Sequence, residues 1–106
     1  MEQEQIQSVA FEIILHSGQA RTIIHEAFTL MKNNEFKNAE NKLEEANEEI
    51  VLAHKSQTEL LQKYSSGESI TMEIIMVHAQ DHLMTVMTLK DIASEMLHLY
   101  EKVENK

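Results

Sequence analysis

Phe36, Ala39, Leu43, Ala46, Ile50, Ala53, Gln57, Leu60 and Tyr64 follow one another at alternating steps of three and four. A strand would need steps of two; this spacing belongs to one face of an α-helix and amounts to a coiled-coil seam over four heptads. Glu40, Glu44, Glu45, Glu48 and Glu49 lie off the seam and form a solvated face. A helix with one apolar face gains most of its stability by packing that face on something else. The rest of the chain must therefore supply partners of similar length.

The chain has 106 residues, which sets one domain and a small core. It contains no proline and only two glycines, so helices can run long. The breakers fall in two places. In "KNNEF", Lys32 to Phe36, Asn33 suits a left-handed helix end and Asn34 suits the cap of the next helix. In "YSSGES", Tyr64 to Ser69, Gly67 suits a helix end and Ser69 an N-cap. Three segments result, with helices expected over about 3–32, 35–65 and 69–104. At ~1.5 Å per residue each would be roughly 45 Å long. Connections this short make neighbours antiparallel, so the expected fold is all-α, an up-down-up three-helix bundle. The first segment fits it, with Ile6, Val9, Ile13, Ala20, Ile24, Ala27 and Met31 at helical spacing. Gly18 interrupts that face, which reads as close packing or a kink.

Several functions are excluded early. Without cysteine there is no disulfide and no thiolate metal site. No apolar run approaches the ~18 residues of a membrane span. The opening "MEQEQIQ" is acidic and polar, unlike a secretory leader, and the cytoplasm is the expected compartment. A net charge of −9 opposes binding to nucleic acid or to an anionic membrane surface. It is compatible with plain solubility and with steering toward basic partners.

The third segment carries the anomaly. "VHAQDHLM", Val77 to Met84, puts two histidines and an aspartate into an apolar helix. With one residue taken as about 100° of turn, Thr71, Ile74, Ile75, His82, Thr85, Leu89, Ile92, Ala93, Met96, Tyr100 and Val103 fall within about 60° of His78. His78 and His82 thus read as the middle of the apolar stripe, with Asp81 on one flank. Ala79, Leu83 and Val86 widen the stripe on one side, Val77 and Leu99 on the other. So broad a band on one helix of three implies a second contact, with another subunit. Two imidazoles and a carboxylate on such a face must be paired or bound to something. Satisfied core polar groups would meet that requirement, and so would a reactive site.

The chemistry open to the patch is narrow. A zinc-protease helix needs Glu after its first histidine, where this chain has Ala79. "EMLH", Glu95 to His98, matches a di-iron half-motif once, and no second copy exists. A slim bundle has little room for a substrate pocket. An exposed imidazole suits a simpler reaction: it takes up a phosphoryl group and hands it on, with catalysis by positioning and charge stabilisation. His82 and Thr85 could donate hydrogen bonds to phosphoryl oxygens. Asp81 would repel them, unless a metal ion neutralises it or it faces elsewhere.

The whole chain resembles the IIA component of the lactose/cellobiose class of the bacterial phosphoenolpyruvate-dependent sugar phosphotransferase system. The likeness rests on "HAQDHLMT" (His78 to Thr85), "LKDIASEMLHLY" (Leu89 to Tyr100), "AHKSQTELL" (Ala53 to Leu61) and "AFEIILHSGQAR" (Ala10 to Arg21). The resemblance implies that His78 accepts phosphate from the carrier HPr and donates it to the IIB component. It implies that Asp81 meets its symmetry mates on the axis of a homotrimer and binds a divalent cation, magnesium above all, with His82 and Thr85 as supporting residues. Contact with the membrane would be indirect, through IIC. Ala79, where lactose members tend to have glycine, tilts the expectation toward cellobiose, β-glucoside or chitobiose systems. Two alternatives remain at this stage: a histidine phosphotransfer domain of a two-component relay, and a purely structural helical module.

Overall fold

A computed structural model describes all residues, 1–106. Three helices account for nearly all of them: α1 (Gln3–Lys32), α2 (Phe36–Ser65) and α3 (Ile74–Glu104). They form an antiparallel bundle measuring 57 × 20 × 18 Å, in which every helix packs on the other two.

The turns follow from backbone chemistry. Both α1 and α2 end in Schellman motifs. After α1, the Glu35 N–H donates to the Leu30 carbonyl at 2.9 Å and Asn34 N–H to Met31 at 3.1 Å. After α2, Glu68 N–H donates to Lys63 and Gly67 N–H to Tyr64, both at 3.1 Å. Each motif needs one left-handed residue. Gly67 supplies it with φ 96°, in line with the sequence. In the first turn it is Asn34, φ 61°, rather than Asn33. The N-cap of α2 is then Glu35, one residue after the asparagine expected there.

The start of α3 also moves. Ser69 is not its N-cap residue; Glu73 takes that position, without a side-chain cap bond, and the first helical residue is Ile74. Residues 69–73 stay outside the helix because other groups hold them. The Ser69 carbonyl accepts from the Met1 ammonium at 2.9 Å, Ile70 packs on the core, and the Glu73 carboxylate accepts from Gln7 Nε2 at 3.3 Å. The same ammonium lies 2.9 Å from the Glu68 carboxylate and holds that carboxyl below its ordinary range.

The core is a single cluster built from seams of the three helices. Ala39, Leu43, Ala46, Ile50, Ala53 and Leu60 of the α2 seam are buried, while Tyr64 at its end is exposed. On α1 every expected residue is buried, apart from Val9, which is partly so. Eight alanines belong to the core, and small side chains at facing positions let the helices approach closely. Neither close packing nor a break accounts for Gly18: a methyl group there would meet nothing within 4 Å, and α1 runs through it unbroken. Across the α1–α2 interface, His16 Nδ1 lies 2.6 Å from the Glu49 carboxylate.

On α3 the buried residues are Met76, Ala79, Leu83, Val86, Ala93 and Leu97. With half-buried Lys90 between Val86 and Ala93, they step by three and four without a break. This seam, not the face centred on His78, turns into the bundle. Ile74, Ile92, Leu99 and Val103, which the helical wheel grouped around or beside His78, are exposed on the single chain, Ile74 at 89%.

Candidate functional site

α3 therefore carries two seams. The outer one reads Ile74, His78, Asp81, Thr85, Thr88, Ile92, Leu99 and Val103, with Glu95 completing the stepping between Ile92 and Leu99. Each of these residues is exposed in the isolated chain. Its two ends are apolar and its middle is polar. The heptad stepping fixes this: residues 78, 81, 85 and 88 lie above one another because each helix turn nearly repeats. An apolar helix face left bare on a 106-residue chain invites another protein surface.

The polar middle has one defined contact. His78 and His82, one turn apart, bring their Nε2 atoms to 3.1 Å. Their ring centroids are 4.5 Å apart and the ring planes stand at 87° to each other. His78 is exposed and His82 half-buried. A separation of 3.1 Å is that of an N–H···N hydrogen bond in which one ring donates and the other accepts. If His82 donates, His78 is held as the tautomer whose Nε2 carries a lone pair, in an exposed position. That is a nucleophilic imidazole.

The other expected residues are distributed around this pair. Thr85 lies one turn beyond Asp81 and His82, exposed on the same outer seam. Asp81 is exposed as well, and no third His, Cys, Asp or Glu joins the two imidazoles closely enough to share a metal ion with them. The sequence pattern placed these residues on one stretch of helix but did not show the direct Nε2–Nε2 contact, which the i, i+4 spacing permits. His98, set aside in the sequence, borders an open groove between α2 and α3 beside Glu44 and Glu101, away from the outer seam. The grooves of the surface are shallow and open rather than enclosed, so nothing resembles a substrate cavity. No helix is long and apolar enough to cross a membrane.

Comparison with known proteins gives this geometry a context. Residues 8–101 match the family described as the lactose/cellobiose-specific IIA subunit of the PTS system. The chain is 46% identical to the lichenan-specific phosphotransferase enzyme IIA component of Bacillus subtilis (strain 168), covering 94% of this chain and 91% of that protein. It is 45% identical to the PTS lactose-specific EIIA component of Staphylococcus epidermidis, covering 96% and 98%. Among solved structures, PtcA from S. mutans superposes with a TM-score of 0.94 at 59% identity, over 95% of this chain and 99% of that one. The IIA(Chitobiose) in complex with HPr from the Escherichia coli phosphotransferase system superposes with a TM-score of 0.78 at 29% identity, over 98% and 99%.

Proposed function

Because the chain belongs to the lactose/cellobiose-specific IIA family of the phosphotransferase system, whose members are phosphotransferase phosphocarriers, we propose that His78 Nε2 is the atom that carries the phosphoryl group. The observation that supports this reading is the exposed His78 ring with its Nε2 facing the Nε2 of His82 at 3.1 Å. The donor is phosphorylated HPr, by analogy with the complex formed by the chitobiose relative, and the acceptor is the IIB component. Family membership displaces the two-component phosphotransfer domain and the purely structural module as readings of the chain.

The step is an exchange between nitrogens. The His78 Nε2 lone pair forms a new N–P bond as the donor's N–P bond breaks in line, and the donor imidazole keeps the electron pair. The proton that the donor ring then takes up is balanced by one that His78 Nδ1 releases. Before transfer, the His82 Nε2–H points at the lone pair and selects the reactive tautomer. After transfer, it turns to a phosphoryl oxygen, as does the Thr85 hydroxyl, and these charge-assisted bonds stabilise developing negative charge.

The outer seam of α3 would bury its apolar ends in a homotrimer, three copies meeting along this face. Asp81 would then approach its two counterparts. Alone, one carboxylate is a poor cation site, and the chain holds no cluster of three ligands. Three Asp81 carboxylates supply hard oxygen donors that fit a divalent ion such as magnesium. When bound, such an ion supplies the positive charge that lets three like charges meet. The imported sugar is of the β-linked disaccharide type, cellobiose, chitobiose or lactose. Identities of 46% and 45% to the lichenan and lactose relatives do not rank these.

The test is reconstitution of the relay with phosphoenolpyruvate, enzyme I and HPr. Wild-type protein should gain acid-labile phosphate, and His78→Ala should gain none while keeping its helical content and melting temperature. Labelling of the folded variant at the wild-type level would overturn the assignment.

A further inference from the structure

We propose that His78 and His82 together form a chelating site for a borderline-soft divalent transition-metal ion, zinc above all, whose binding shuts off the phosphoryl acceptor. The site itself follows from geometry. Zinc binds imidazole nitrogen at about 2.0–2.1 Å. Two such bonds separate the nitrogens by about 2.9 Å at a right angle and about 3.3 Å at the tetrahedral angle. The Nε2 atoms lie 3.1 Å apart, between these values, before any ion is present. The nitrogens are also the near edges of the two rings, whose centroids are 4.5 Å apart. The i, i+4 spacing keeps both rings within reach of one ion, and a turn of each ring about its side-chain torsions exchanges the N–H···N contact for two convergent lone pairs.

The donor set decides which ion. Imidazole suits zinc, copper and nickel, whereas magnesium prefers carboxylate and water oxygens. Asp81 is not drawn into the pair: no third ligand type stands with these two rings in the chain. Hard and soft ions are thereby sorted to neighbouring but separate positions on one helix. Water completes the zinc shell on the exposed side of His78.

The consequence rests on the reading of His78 as phosphoryl acceptor. On zinc binding the His82 proton moves from Nε2 to Nδ1 through solvent, which frees the second nitrogen as a ligand, and the bond to His78 occupies the same Nε2 lone pair that must attack phosphorus, so zinc and phosphate compete for one electron pair. The protein then answers an excess of transition metal by ceasing to be phosphorylated, without any change of fold.

Zinc titration of the intact protein in saturating magnesium, followed by calorimetry and by ¹⁵N NMR of the histidine rings, tests the site. One zinc per chain should shift the His78 and His82 ring nitrogens together. Loss even of outer-shell partners weakens metal sites about 10–100-fold, so His78→Gln and His82→Gln should each lower affinity at least tenfold. His98→Gln and Asp81→Asn should leave it within twofold. Equal affinity in His82→Gln, or zinc binding that leaves both rings unshifted, would overturn the proposal. Labelling from phosphorylated HPr then tests the consequence. Wild type should slow at least tenfold at a zinc concentration that just saturates it and recover with a chelator, while His82→Gln, whatever its basal rate, should need at least tenfold more zinc for the same fractional slowing. Ring binding without slowing would contradict the coupling. If labelling proves independent of His78 although the rings bind zinc, the fault lies in the acceptor assignment and not in the metal site.

Discussion

At the scale of single residues, the question is what one nitrogen lone pair on His78 is engaged in. In the resting chain it faces His82 Nε2 at 3.1 Å. Under the proposed mechanism that contact has two roles, selecting a tautomer before transfer and bonding a phosphoryl oxygen after it. A hydrogen bond to a charged group contributes about 1.5–3 kcal/mol. His82→Phe, which keeps a flat ring and removes the donor, should therefore slow phosphoryl uptake by about tenfold to a hundredfold. Its affinity for HPr should stay near wild type, because the loss arises in the transition state. Stopped labelling time courses and a binding titration separate the two quantities; a weaker complex with an unchanged transfer step would contradict the role given to His82. The shared helix face of His78, Asp81 and His82, the residues proposed for the site, was legible from "VHAQDHLM" because i, i+3 and i+4 define one face. Whether the two rings touch each other or their neighbours depends on rotamers, which the sequence pattern does not carry.

At the scale of helices, small side chains explain both the success and the error of the pattern reading. The α2 seam was legible because its large and small apolar residues share one face. On α3 they are divided. Ala79 and Ala93 help to form the inner seam with Met76, Leu83, Val86 and Leu97, while Ile74, Ile92, Leu99 and Val103 stand outside. A wheel weighted by large residues drifts to the outer face and sets His78 at its centre. The α3 start was misplaced for a different reason: Ser69 is a good N-cap by type, but Ile70 anchors the preceding segment to the core and Glu73 takes the N-cap position instead. Gly18 gives a test at this scale. It is mid-helix, and a methyl group there meets nothing within 4 Å. Gly18→Ala should raise stability by about 0.5–1 kcal/mol. A urea melt measures this, and a loss of stability would mean that the half-buried position of Gly18 makes contacts absent from the single chain.

At the scale of the whole molecule, the bundle resembles a component more than a finished object. Its interior is a narrow, alanine-rich core, while one face of α3 leaves Ile74, Val77, Ile92, Leu99 and Val103 in solvent. Trimer formation through that face would bury them and bring three Asp81 carboxylates together. Asp81→Leu should then sediment as a trimer at least as stable as wild type, since it replaces mutual repulsion by apolar contact, and it should lose the magnesium site. Stable monomers of this variant would contradict the arrangement. The measurement closest to the central claim is ¹⁵N and ³¹P NMR of the protein phosphorylated through HPr, with its histidine rings labelled. The account predicts a single phosphorus–nitrogen coupling, at Nε2 of His78, with His16, His25, His54 and His98 unchanged. Phosphorus coupled to any other histidine, with the His78 ring unmodified, would contradict it.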